Sequence, residues 1–184
     1  MKPPGFLRDT SGAAAAEFVL WLSILIIPIL SVVDLGVFAM QRMQVDVASQ
    51  AAVQAAWRLC DTPTKLTPAS DNCPGLASVI TAGAQSTSLG TAVTLASGSP
   101  LNGYYCAASD ATLKPAGATT TWTIGASAPS KPGDCKFVTT GSKTAPGEWI
   151  KVTVNFTYAP VFPSVSIASL LPTTISRTAW VRLS

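Results

Sequence analysis

The chain has 184 residues, about one domain's worth, of which 48% are hydrophobic and only 11% charged, against roughly 25% charged in ordinary soluble domains. Its formal charge of +3 is too small to argue for a nucleic-acid partner. With no His and only 2 Glu, it lacks Ser-His-Asp and Cys-His nucleophiles and His-containing zinc sites, and paired carboxylates are scarce, so the inventory speaks against an enzyme and names no metal or cofactor.

In chain order, the first element is an apolar run. Phe18 to Val33 reads FVLWLSILIIPILSVV without a charge. With Ala13–Ala16 before it and Leu35–Met40 after it, the stretch exceeds the ~20 residues that a helix needs to cross a bilayer. Pro28 lies in its middle, which a membrane helix tolerates better than a soluble one. Lys2 and Arg8 precede it, so a secretory signal peptide cut after Val37-Phe38-Ala39 is the competing reading. Against that stand the length of the run and the carboxylate of Glu17 at its entrance. The helical pattern also continues past Ala39.

Met40 to Leu59 has no Gly or Pro and is rich in Ala and Gln. Val45, Ala48, Ala52, Ala55 and Leu59 recur at steps of three and four, which makes one helical face. A helix from Ala13 to Cys60 would span roughly 70 Å, with Asp61, Thr62 and Pro63 ending it. The chain thus reads as 13–40 transmembrane helix, 41–60 amphipathic extension and 61–184 a further α+β domain, after a short leader, 1–12.

Downstream the composition turns to Thr, Ser, Gly, Pro and Ala. Pro74–Ser88 reads as a helix, with Asp71 or Asn72 as cap and Gly90 as stop. Thr91–Ala96 alternates weakly. Asn102-Gly103 reads as a turn leading into Tyr104-Tyr105-Cys106, and Thr119–Ile124 as a Thr-rich strand. In Glu148–Tyr158, Ile150, Val152, Val154, Phe156 and Tyr158 share one face. In the last strand, Thr174–Leu183, Ile175, Ala179, Val181 and Leu183 do so. Pro160, Pro163 and Pro172 bound a loop with a short apolar patch, and Ser109–Pro115 and Ala126–Gly133 read as exposed loops. Each apolar strand face needs a cover, and the amphipathic half of the helix is the cheapest one. The expected fold is α+β: a long N-terminal helix on an antiparallel sheet of about four or five strands.

Four cysteines, Cys60, Cys73, Cys106 and Cys135, all follow the apolar run, without CxxC spacing. Of three possible pairings, Cys60–Cys73 with Cys106–Cys135 closes two local loops and is preferred. Disulfides place this part in an oxidising compartment, outside the cytoplasm. The scattered Asp46, Asp61, Asp71, Asp110 and Asp134 make no calcium loop, and no phosphate-cradling Gly run precedes a helix.

The residues before the apolar run, Ser11-Gly12-Ala13-Ala14-Ala15-Ala16-Glu17-Phe18, resemble the processing site of type IV prepilins. They are closer still to the GxxxxEF/Y site of pilin-like proteins in tight-adherence (Tad) systems. Val32-Val33-Asp34-Leu35-Gly36-Val37-Phe38, then Arg42, is similar to the hydrophobic–Asp–x–Gly signature of TadE-like proteins. The resemblance covers the first third of the chain and implies a pilin-like fold. It also implies cleavage by a prepilin peptidase after Gly12 on the cytoplasmic side, with Ala13 as the new amino terminus. The implied partners are the lipid bilayer, that peptidase, other pilin subunits and the Tad assembly platform, with no nucleic acid and no small-molecule substrate. Glu17 is expected to pair with the freed amino group of Ala13 on a neighbour, beside the aromatic Phe18, or to snorkel to water. Asp34 is expected near the opposite membrane face, capping or pairing with Arg42, or solvated there. A TadF-like role and a plain secreted or anchored binding domain are the alternatives.

Overall fold

The computed structural model describes residues 11–62, 65 and 68–183, without the side chains of residues 11, 13, 70 and 71. The expected leader charges Lys2 and Arg8, the helix-stopping Pro63 and the capping side chain of Asp71 lie outside the described residues. The chain is α+β, a long N-terminal helix packed on a six-stranded antiparallel sheet. Its contacts divide it into two compact units. One comprises the residues up to Met40 with Tyr158–Thr173, the other Gln41–Thr157 with Thr174 to the C-terminus.

Helix α1, Ser11–Leu59, takes in the whole apolar run, with Pro28 inside it. Within the first unit nearly every large side chain from Phe18 to Val33 is exposed. Only 11% of the most apolar window of α1 is buried, which is not how the core helix of a water-soluble domain looks. This helix is long and apolar enough to cross a membrane. The unit's other part, Tyr158–Thr173, is irregular except for a 3-10 turn at Ile167–Leu170.

In the second unit the amphipathic half of α1 buries Val45, Ala48, Ser49, Ala52, Val53 and Ala56. Val45, Ala48 and Ala52 were legible from spacing, while Ala55 and Leu59 are only half-buried. Short helix α2, Ala69–Asn72, and helix α3, Leu76–Ala84, follow. α3 is shorter than the sequence pattern suggests: it starts after Gly75, whose φ of 77° caps it in the left-handed region, and ends before Gln85. Gly83 fixes its approach to α1. A Cβ there would stand 2.9 Å from Ala55 Cβ and 3.0 Å from the Ala51 carbonyl oxygen.

The sheet is organised around β5, Gly147–Thr157. Along one edge β5 pairs over its length with β6, Thr174–Arg182. Its other edge is shared between β1, Val93–Leu95, and β2, Leu101–Ala107. The outer edge of β2 is shared in turn by β3, Leu113–Pro115, and β4, Thr121–Thr123. Every pairing is antiparallel. The strict alternation of β5 buries Ile150, Val152, Val154 and Phe156 on one face, as period-2 patterning requires.

Three expectations are corrected here. The sheet has six strands because Leu113–Pro115, expected in an exposed loop, pairs with Tyr105–Ala107. Asn102-Gly103 is not a turn but lies inside β2, paired with Ile150 and Trp149. Gly is needed there because a Cβ at position 103 would fall 2.6 Å from the Tyr105 ring. Tyr158, expected to extend β5, leaves the sheet at Thr157 and belongs to the first unit.

Disulfides join Cys60 to Cys73 and Cys106 to Cys135, each with Cα atoms 5.8 Å apart. The first ties the end of α1 to the segment after α2. The second lies in a small core with Tyr104, Ala116 and Trp122.

Candidate functional site

At the start of the described part of α1, Ser11-Gly12-Ala13-Ala14 is helical, not extended. Gly12 is exposed, with nothing within 4 Å of where a Cβ would stand. Five residues of Gly or Ala in a row, 12–16, put no large side chain beside that peptide in the sequence. Glu17 follows one turn later, exposed and without an ion-pair partner among the described residues. Phe18 beside it is also exposed. Glu17 is the only charge between Ser11 and Val33. A carboxylate at the head of an apolar helix is costly in a membrane unless something pairs with it.

Further along, Ser31, Asp34 and Phe38 follow at steps of three and four, one stripe on α1. This stripe is where the first unit is built. Asp34 is fully buried. Its Oδ1 accepts from the backbone N–H of Val161 at 2.9 Å and its Oδ2 from that of Phe162 at 3.2 Å. Its own carbonyl accepts from the Tyr158 hydroxyl at 3.2 Å, and the Tyr158 ring meets Phe38 edge-on at 5.0 Å. One turn back, Ser31 Oγ accepts from the N–H of Ile167 at 3.4 Å. An ionised carboxylate is an acceptor only, and here both oxygens are used on consecutive amides.

That geometry revises the reading of Asp34. Its carboxylate neither pairs with Arg42 nor sits solvated at a boundary; it clamps residues 158–173 to the helix. Arg42 is exposed in the other unit. The acceptor role was hidden in the sequence because its donors are backbone groups 127 and 128 residues away. The available signal was Ser31 and Asp34 sharing a face of an otherwise apolar helix. Gly36 has nothing within 4 Å of a would-be Cβ, so the chain's own packing does not demand its smallness.

A second buried carboxylate went unread. Glu148, fully buried at the start of β5, accepts through Oε1 from the N–H of Ala69 at 2.8 Å and from Asn102 Nδ2 at 2.9 Å. Asn102 Oδ1 then accepts from the N–H of Gly103 at 2.9 Å. This network joins α2, β2 and β5 and reads as structural. Exposed ion pairs such as Lys114–Asp110 at 3.3 Å contribute little.

The family model described as TadE-like protein matches residues 12–54. The match bears out the resemblance read from the motif, and it covers Gly12, Glu17, Phe18, Asp34 and Gly36. Searches of curated proteins and of solved structures returned no match.

Proposed function

We propose that this chain, TadE-like over residues 12–54, is a non-enzymatic, membrane-anchored pilin-like subunit that serves assembly of a Tad-type pilus and, through it, surface adhesion. Residues 1–12 are the cytoplasmic leader, removed after Gly12 by a prepilin peptidase. Residues 13–40 cross the inner membrane once, 41–60 continue the helix, and 61–184 form the domain on the far side. Two disulfides suit that oxidising side. The observation that carries the reading is the TadE-like match on a helix that exposes nearly all of its apolar run and bears one carboxylate at its head.

Glu17 supplies the assembly step. Once Ala13 carries a free ammonium, that group and the Glu17 carboxylate of a neighbouring subunit are complementary charges at similar depth on identical helices. Pairing them removes the cost of an unpaired charge in lipid and fixes the axial register between subunits. Losing one partner of a pair in low dielectric costs about 3–5 kcal/mol, because the other charge stays behind alone. Glu17→Gln is therefore expected to insert at least as well as the parent yet to reduce pili sharply, read by membrane fractionation and pilus recovery in the native host. Normal pili from that strain would contradict the pairing and leave Glu17 as a snorkelling residue on a plain anchor.

A further inference from the structure

The segment Tyr158–Thr173 is apolar for an exposed loop. It carries no charged residue in 16 positions. Val161, Val165, Ile167 and Leu170 point outward, Leu170 at 85% exposure. Of its polar side chains Tyr158 and Ser166 are buried, while Ser164, Ser169 and Thr173 are exposed. The Tyr158 hydroxyl donates to the Asp34 carbonyl, Ser166 Oγ accepts from the N–H of Ala168, and Ser169 Oγ donates to the carbonyl of Ser166. Three prolines have no N–H to satisfy, and nine of the other 13 N–H groups donate to acceptors within the same unit.

These partnered N–H groups lower the cost of bringing an irregular segment to a bilayer. Non-helical backbone at membrane depth survives only where its polar groups find partners in the protein. Depth is fixed by the helix. The uncharged run Phe18–Val33 covers about 24 Å at 1.5 Å per residue, and Ser31, which takes the N–H of Ile167, lies inside it. The exposed apolar residues of the loop thus belong to the same compact unit as the exposed apolar residues of α1.

We propose that residues 158–173 are a second membrane-contacting element, an interfacial loop that inserts Val161, Val165, Ile167 and Leu170 among the acyl chains at the Asp34 end of the membrane helix. The inference rests on the membrane reading of α1 given above. Asp34 and Ser31 then act as acceptors that let an irregular segment enter a medium without water, so the buried aspartate of the TadE-like segment has an architectural task. Anchoring a loop far along the chain beside the helix also gives the unit two attachments to one leaflet.

The test uses the full chain in vesicles of phosphatidylethanolamine and phosphatidylglycerol. All four native cysteines are in disulfides, so a thiol introduced by Leu170→Cys, or separately Val165→Cys, takes an environment-sensitive fluorophore alone. Leu25→Cys marks the membrane helix. The expected result is loss of emission at positions 170 and 165 to lipids carrying a doxyl quencher near the headgroup, with shielding from aqueous iodide. If positions 170 and 165 respond to iodide and not to doxyl lipid while position 25 responds to doxyl lipid, the loop inference fails and the membrane helix stands. Shielding of 170 and 165 from both quenchers would mean protein covers the loop, and would also overturn it. Failure of position 25 to respond to doxyl lipid would overturn both readings.

Discussion

Asp34 shows how much one side chain can organise. Hydrogen bonds to a charged acceptor are worth about 1.5–3 kcal/mol each, and the buried Asp34 accepts two from adjacent amides. Removing the carboxylate leaves the N–H groups of Val161 and Phe162 without these acceptors. Asp34→Ala should speed hydrogen exchange at those two amides by at least about tenfold, the factor that corresponds to 1.4 kcal/mol, while exchange in β5 stays unchanged. Equal protection of Val161 and Phe162 in parent and variant would show that the clamp adds nothing to the loop. The neighbouring Arg42 tempts a pairing on sequence alone, since opposite charges eight positions apart on one helix look complementary. What decides instead is that Asp34 follows Ser31 by three residues, on the stripe that faces residues 158–173.

At the scale of elements, long periodic segments were the most legible. The apolar run, the alternation of Ile150, Val152, Val154 and Phe156, and the Val45-Ala48-Ala52 face each repeat a period often enough to declare a structure. Leu113–Pro115 has three residues, too few for a period, and exists because β2 offers it an edge; the equally short Thr121–Thr123 on the same edge was legible from its Thr-rich composition. Asn102-Gly103 carries ordinary turn chemistry, yet the buried carboxylate of Glu148 takes Asn102 and the crowding of Tyr105 and Thr121 selects Gly103. Tertiary partners overrode local preference there. The same kind of crowding makes a prediction at the contact of α3 with α1. Gly83→Leu cannot keep the present approach to Ala51, Ala52 and Ala55, and overpacking of this kind costs about 1–3 kcal/mol. Denaturant unfolding of the variant should show that loss; parent-like stability would mean that the two helices are free to separate.

Across the whole molecule, the two units set different physical demands on one chain. The first exposes a long apolar run and buries Ser31, Asp34 and Ser166, the second has an ordinary buried core. The Cys60–Cys73 bridge sits in the second, where α1 ends and the chain turns toward the sheet. On the chain-entropy scale, closing a loop of roughly 15 residues is worth about 3 kcal/mol. Replacing both cysteines with Ser should lower the unfolding free energy by about that amount, and an unchanged denaturation midpoint would show that the bridge constrains nothing. The central claim, that the chain is a processed pilus-system subunit, is most directly tested by the intact mass and amino-terminal sequence of the protein recovered from membranes and sheared pili of its native host. The account predicts a chain beginning at Ala13 in both fractions. A chain beginning at Met40, or one still carrying Met1 to Gly12, would contradict it.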